Sequence, residues 1–200
     1  MQRSRWVKWG LRLVGLSAAY NGVEALVALW AGVAAGSIAL VGFGLDSVIE
    51  LAAAVMVLNR LRGEVRGTTA ALGRADRRAH RFVGWTFIAL AGYIAVDAGW
   101  TLWRHDVPGE STVGIVLACV SLGLMPALAW GKFRVAAALG SRALAAEAKE
   151  TLACAYLSGC LLLGLALHAA LGWWWADPVA ALLMVPWLAR EAHEALEDEP

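Results

Sequence analysis

Ser37–Glu50 reads SIALVGFGLDSVIE, an apolar run that carries two carboxylates, Asp46 and Glu50. At a spacing of four, both acids fall on one face of a helix, one turn apart. Gly42, Ala53 and Val57 share that stripe, so the face is small or slender. Two acids inside a segment long enough to cross a bilayer are costly unless they line a polar cavity or hold a cation. A purely structural role for such a pair has no cheap physical basis, and a transported-ion site is the better reading.

The chain around this run is equally apolar. Of 200 residues, 60% are hydrophobic, too many for an ordinary soluble domain. The apolar residues fall in blocks of roughly 18–25, which is bilayer-spanning length. The first block runs past any small-residue cleavage site into Asn21 and Glu24, so it reads as a span and not as a signal peptide. The eleven tryptophans collect near block ends, as in interfacial belts. Cys119, Cys154 and Cys160 lie in apolar blocks without metal-finger spacing, which argues against a disulfide framework.

The blocks predict an all-α membrane protein of six transmembrane helices. Span 1 covers about 13–33, span 2 37–58, span 3 82–103 and span 4 112–130. Span 5 ends near Leu171 with an open start, and span 6 opens at Asp177-Pro178 and ends near Arg190. Residues 191–200, EAHEALEDEP, read as an acidic cytoplasmic tail, so residues 1–200 form one membrane domain with no C-terminal soluble domain. With these spans, every Lys and Arg except Arg104 lies on one side, counting Lys132 as a loop residue. The positive-inside rule then puts both termini in the cytoplasm. The basic segment between spans 2 and 3 would also suit anionic lipid or nucleic acid; the topological role is the simpler one, and no nucleic-acid partner is expected.

Polar residues recur within the spans: Ser17, Asn21 and Glu24 in span 1, Tyr93 and Asp97 in span 3, and Glu147, Glu150, Cys154 and Ser158 in span 5. Measured inward from the nearest cytoplasmic Arg at ~1.5 Å per residue, Glu50 lies about 15 Å deep, Asp46 about 21, Glu150 about 12 and Cys154 about 18 Å. Asn21 and Glu24 come out near 13 and 18 Å on the same scale. Cys154 therefore matches Asp46 in height, and Glu150 matches Glu50. Asn21 and Ser17 also fit simple inter-helix hydrogen bonding. Asp97 suits a water-facing position or a pair with Arg104, and Glu147 a solvated helix start paired with Lys149 or Arg142. Cys154 is open between ligand and inert packing. Carboxylates favour a hard cation, a thiolate tilts the set toward Zn²⁺, and an all-oxygen set suits Mn²⁺ or Mg²⁺ equally. Protons compete with metal for such groups, which supplies a basis for exchange. No span pairs a nucleophile with a His, so an enzyme is not expected.

At these residues the chain resembles the transmembrane domain of the cation diffusion facilitator (cation efflux) family. The resemblance rests on Asn21 and Glu24, on Gly36-Ser37-Ile38-Ala39-Leu40, and on Asp46 with Glu50. It continues through Ser141-Arg142-Ala143-Leu144 with Ala146-Glu147, and ends at Asp177-Pro178. In that family the core metal site pairs Asp-x-x-x-Asp on span 2 with His-x-x-x-Asp on span 5. Here Glu50 replaces the second Asp, and Glu150 and Cys154 stand where the second pair belongs. The missing His departs from the usual zinc-selective geometry. The chain is similar to the short branch that includes transmembrane protein 163-like proteins.

The resemblance implies a homodimeric secondary transporter that exports divalent metal, zinc first, against protons; a non-transporting metal-binding or regulatory protein is the alternative. The metal would be held by Asp46, Glu50, Glu150 and Cys154, with Asn21 and Glu24 behind them as a second layer or proton group. No resident cofactor is implied. The Ala, Arg, Gly and Trp usage with short loops suggests a bacterial inner membrane.

Overall fold

A computed structural model describes residues 2–66 and 73–197, with the side chains of 2, 64–83 and 142 outside the described set. The arginines at 66, 74, 77, 78 and 81, on which much of the charge asymmetry rests, lie among those side chains. Six helices follow one another: α1 Gln2–Ala35, α2 Ile38–Arg66, α3 Gly73–Arg104, α4 Thr112–Leu139, α5 Arg142–Leu171 and α6 Ala176–Glu197. There is no strand among the described residues. The first five are long and apolar enough to cross a membrane. The sixth falls short because Asp177 and Arg190–Glu191 leave only residues 178–189 free of charge. The chain is an integral membrane protein.

The helices outrun the apolar blocks. α1 begins well before Leu13, α4 continues past Trp130 to Leu139, and α6 carries on through most of the acidic tail. At the end of α6 the i,i+4 pairs Arg190–Glu194 and His193–Glu197 support the added turns. Tryptophans 9, 30, 100, 103 and 130 are exposed on the outer surface of the bundle, as an interfacial belt requires.

The joints explain themselves from local chemistry. Gly36 adopts φ +64°, a left-handed turn that closes α1 and that a Cβ would strain. Ser37 then caps α2 by accepting the Leu40 N–H at 3.1 Å. Its hydroxyl donates to Asp177, whose other oxygen accepts the N–H groups of Ile38 (2.9 Å) and Ala39 (3.5 Å). The acid that opens α6 is thus also a remote cap on α2, where the helix dipole favours negative charge. Ser111 and Ser141 cap α4 and α5 in the ordinary way.

Packing divides the helices into two groups. α1 packs on α2 and α4 on α5, and contacts of α1 with α4 and of α2 with α5 close these four into a bundle. α3 pairs chiefly with α6, and this pair lies against α2 and α5. Small residues allow the close approaches. A Cβ on Gly42 would come within 2.7 Å of Ile94, and one on Gly114 within 2.8 Å of both Leu40 and Leu165. At Gly123, on the same helix, nothing lies within 4 Å.

Three charged positions differ from the sequence expectation. Lys132 is not in a loop: it lies inside α4 and is fully buried. Glu147 is not at a solvated helix start; it is buried and pairs with Lys132 at 2.6 Å. The reason is the extension of α4 by about two and a half turns beyond Trp130, which places Lys132 inside the bundle where α5 supplies an acid. Arg104 pairs with Asp106 at 3.9 Å, not with Asp97.

Replacing Asp177 by Ala removes three acceptor contacts from the start of α2. It is expected to lower stability by about 1–3 kcal/mol in detergent unfolding, more than Ser111→Ala. Equal effects of the two would mean that the α6-to-α2 cap contributes no more than a local one.

Candidate metal-cation site

α1, α2 and α5 each bring polar side chains to one level of the bundle. Asp46 and Glu50 project from α2 and Cys154 from α5, and all three are buried. One ligand atom from each lies within 4.8 Å of the others. Glu150 is outside this group, although its height by sequence matched that of Glu50. α2 and α5 run antiparallel, and side chains lean toward the N-terminus of their own helix. Glu50 therefore leans toward the level of Asp46, while Glu150 leans the opposite way along the bundle axis, toward the start of α5.

Glu150 instead lines a narrow cavity with Asp46, Glu50, Phe87, Ala153, Trp187 and Glu191. The cavity has a volume of about 10 Å³, room for one water molecule or one ion. It lies on the seam between the four-helix bundle and the α3–α6 pair. Glu191 is a site residue that the sequence reading left in an acidic tail. Only the continuation of α6 past Arg190 brings it to the cavity.

The α1 residues stand behind the acids. Asn21 Nδ2 donates to Glu50 Oε2 at 2.8 Å, while Glu50 Oε1 and Asn21 Oδ1 are buried without partners. Turning the amide over would set two acceptors face to face, so the orientation is determined by the contact. Glu24 is completely buried and better satisfied: Ser47 Oγ donates to Oε2 at 2.9 Å, Ser121 Oγ donates to Oε1, and Cys154 Sγ donates to Oε2 at 3.7 Å. Tyr20 joins this network through a 2.7 Å contact with Ser121. Cys154 thus sits between Glu24 and the Asp46–Glu50 pair. Ser47 and Ser121 gave no signal in the sequence, since a serine in an apolar helix is common inter-helix glue.

A second polar cluster lies one turn along α1 from Asn21. Lys132 Nζ donates to Ser17 Oγ (2.7 Å), Glu147 Oε1 (2.6 Å) and Thr151 Oγ1 (2.7 Å). The ammonium is within electrostatic reach of both Glu50 and Glu150. Cys160 lies beyond this level on α5, and His168 is in its last turn, where its ring approaches the Trp173 carbonyl.

Buried acids around an ion-sized cavity, in a bundle long enough to span a bilayer, make these residues the candidate cation site of an integral membrane protein. Residues 14–197 match the model of the cation efflux transmembrane domain, and the chain belongs to the cation efflux family. That family transports metal cations across membranes. Over 178 residues the chain is 28% identical to an uncharacterized transporter of Synechocystis sp., covering 82% of this chain and 56% of that protein. The chain therefore spans about half the length of that relative.

Asn21 is hydrogen-bonded to Glu50 from α1. Asn21→Ala is expected to leave the protein folded and to weaken divalent metal binding by on the order of 10–100-fold, as loss of a supporting hydrogen bond does at metal sites. Unchanged affinity by calorimetry would show that Glu50 keeps its orientation without the amide.

Proposed function

We propose that the chain is a secondary transporter that carries a divalent metal ion, zinc above others, out of the cytoplasm in exchange for protons. Asp46, Glu50 and Cys154 serve as ligands, and Glu150 receives the ion at the cavity mouth or completes the shell. The observation that carries this reading is the convergence of two carboxylates and one thiol within 4.8 Å at a buried level. Tetrahedral zinc, with bonds of about 2.0–2.3 Å, sets its ligands roughly 3.4–3.7 Å apart. Rotamer adjustments of about 1 Å would bring the three side chains to that spacing. The free Glu50 Oε1 offers a lone pair, and the sulfur tilts the set from Mg²⁺ or Mn²⁺ toward Zn²⁺ and Cd²⁺.

Exchange follows from the same groups. Each ligand binds metal only when deprotonated, so metal entry expels protons and proton entry expels metal. Metal affinity accordingly falls as the pH is lowered, and an inward proton gradient drives efflux. The reading includes cytoplasmic termini, from the distribution of Lys and Arg, and a homodimer, as family membership suggests. It places the protein in a bacterial inner membrane, to which the cyanobacterial relative points.

In reconstituted liposomes, Asp46→Ala and Glu50→Ala are expected to lower zinc flux by on the order of 100-fold or more, beyond what loss of a supporting contact does. Apo stability should hold or rise, because removing one of two adjacent acids relieves repulsion. Cys154→Ser should weaken Zn²⁺ and Cd²⁺ binding far more than Mn²⁺ binding, whereas Cys160→Ser should change neither. Normal flux in both acid variants would overturn the site. Tight metal binding with no flux in the parent protein would assign the chain to the non-transporting, metal-binding alternative.

A further inference from the structure

Lys132 is the only buried Lys or Arg among the described residues. Its ammonium has three protons and meets three oxygens, Ser17 Oγ and Thr151 Oγ1 at 2.7 Å and Glu147 Oε1 at 2.6 Å. The hydroxyls present lone pairs to it, because their own protons have other acceptors. Ser17 Oγ donates to the Val14 carbonyl at 3.1 Å, and Thr151 Oγ1 to the Glu147 carbonyl at 3.0 Å. Ser17 also lies 3.5 Å from Glu147 Oε1, which tightens the ring of oxygens. Glu147 is 4% exposed, and its second oxygen, Oε2, is buried without a partner. So α1 and α5 build a cage of oxygen acceptors, and α4 inserts a cation into it.

Oxygen-only donors suit hard cations. The cage contains one carboxylate and two neutral hydroxyls, so its charge is balanced by a single positive charge and not by two. We infer that Ser17, Glu147 and Thr151 form a monovalent-cation site whose occupant in this chain is the protein's own Lys132 ammonium, a tethered substitute for Na⁺ or K⁺. The consequence for function is specific. With the position permanently filled, the bundle needs no alkali cation as a structural or transported co-ion, and the Asp46–Glu50–Cys154 level is left as the place for the divalent ion. Lys132 is in this sense a positioning residue that determines which ions the bundle requires.

An ordinary buried ion pair makes a different forecast. Removing one partner of such a pair leaves the other charge uncompensated and destabilises the fold, whatever salt is present. A cation site instead recovers when a free cation of the right charge and size enters the vacated space.

The test compares the parent protein with Lys132→Ala in detergent, using NaCl, KCl and choline chloride at equal ionic strength. The parent should melt at the same temperature in all three. Lys132→Ala should be destabilised in choline and regain Tm saturably in Na⁺ or K⁺, by on the order of 5 °C. The regain should vanish in Lys132→Ala/Glu147→Gln, which lacks the anionic ligand, and be absent in Lys132→Met, whose side chain refills the space. If Lys132→Ala folds only with Na⁺ or K⁺ present, the inference stands. If it melts alike in all three salts, or fails to fold in all of them while Lys132→Ser also shows no salt response, the inference is overturned. Persistence of the regain in the double variant overturns it as well. One further arm rests on the transport reading: zinc flux should be Na⁺-independent in the parent and become alkali-dependent in Lys132→Ala. A salt-dependent melt without any zinc flux would refute transport and leave the cage intact.

Discussion

Carboxylates placed among apolar side chains must be matched by donors or cations, and the bundle is arranged around that demand. Glu24, Asp46, Glu50, Glu147 and Asp177 are all buried, against a single buried lysine. Each acid is met differently. Asp177 receives the N-terminus of α2 together with Ser37. Glu147 receives the Lys132 ammonium, and Glu24 receives two serines and a thiol. Glu50 receives one amide and retains a bare oxygen. A residue left short of partners at the edge of an ion-sized cavity is where an exchangeable cation is most favoured.

The helix arrangement makes that cavity possible. α1, α2, α4 and α5 interlock as one group, and α3 with α6 forms another. The cavity follows the seam, with Phe87 and Trp187 contributed by the second group and the acids by the first, except for Glu191. Glycine at 42 and 114 lets neighbouring helices approach without displacing the polar face. Structural acids and candidate ligands are thereby kept within a few turns of each other while serving separate ends.

Cys154 links these ends. It approaches Asp46 and Glu50 on one side and hydrogen-bonds to Glu24 on the other. In a family whose span-5 pair is His and Asp, a thiol and a leaning glutamate change both the softness and the reach of the donor set. Glu150, which the resemblance sets at the His position, shares the cavity with both acids but lies outside the three-residue group. With a thiol among its donors, the proposed site is softer than one built from carboxylates alone.

Much of this was legible in the residues alone. Apolar block length and the Asp46–Glu50 spacing determined that the chain spans a membrane and carries a polar face on α2, because helix periodicity and the cost of buried charge are local and one-dimensional. The depth of Cys154, Asn21 and Glu24 was legible for the same reason, since rise per residue is constant along a helix. What tertiary structure alone decided was which acid meets which partner. Glu147 looked like a surface residue until α4 was seen to extend far enough to bring Lys132 against it. Glu191 looked like tail until α6 ran on and turned it toward the cavity. Glu150 matched Glu50 in height, yet it is Cys154 that comes within 4.8 Å of the acid pair, while Glu150 meets both acids only across the cavity. Pairings of this kind depend on the rotation of each helix about its axis and on where its ends fall, and neither is contained in hydropathy or spacing.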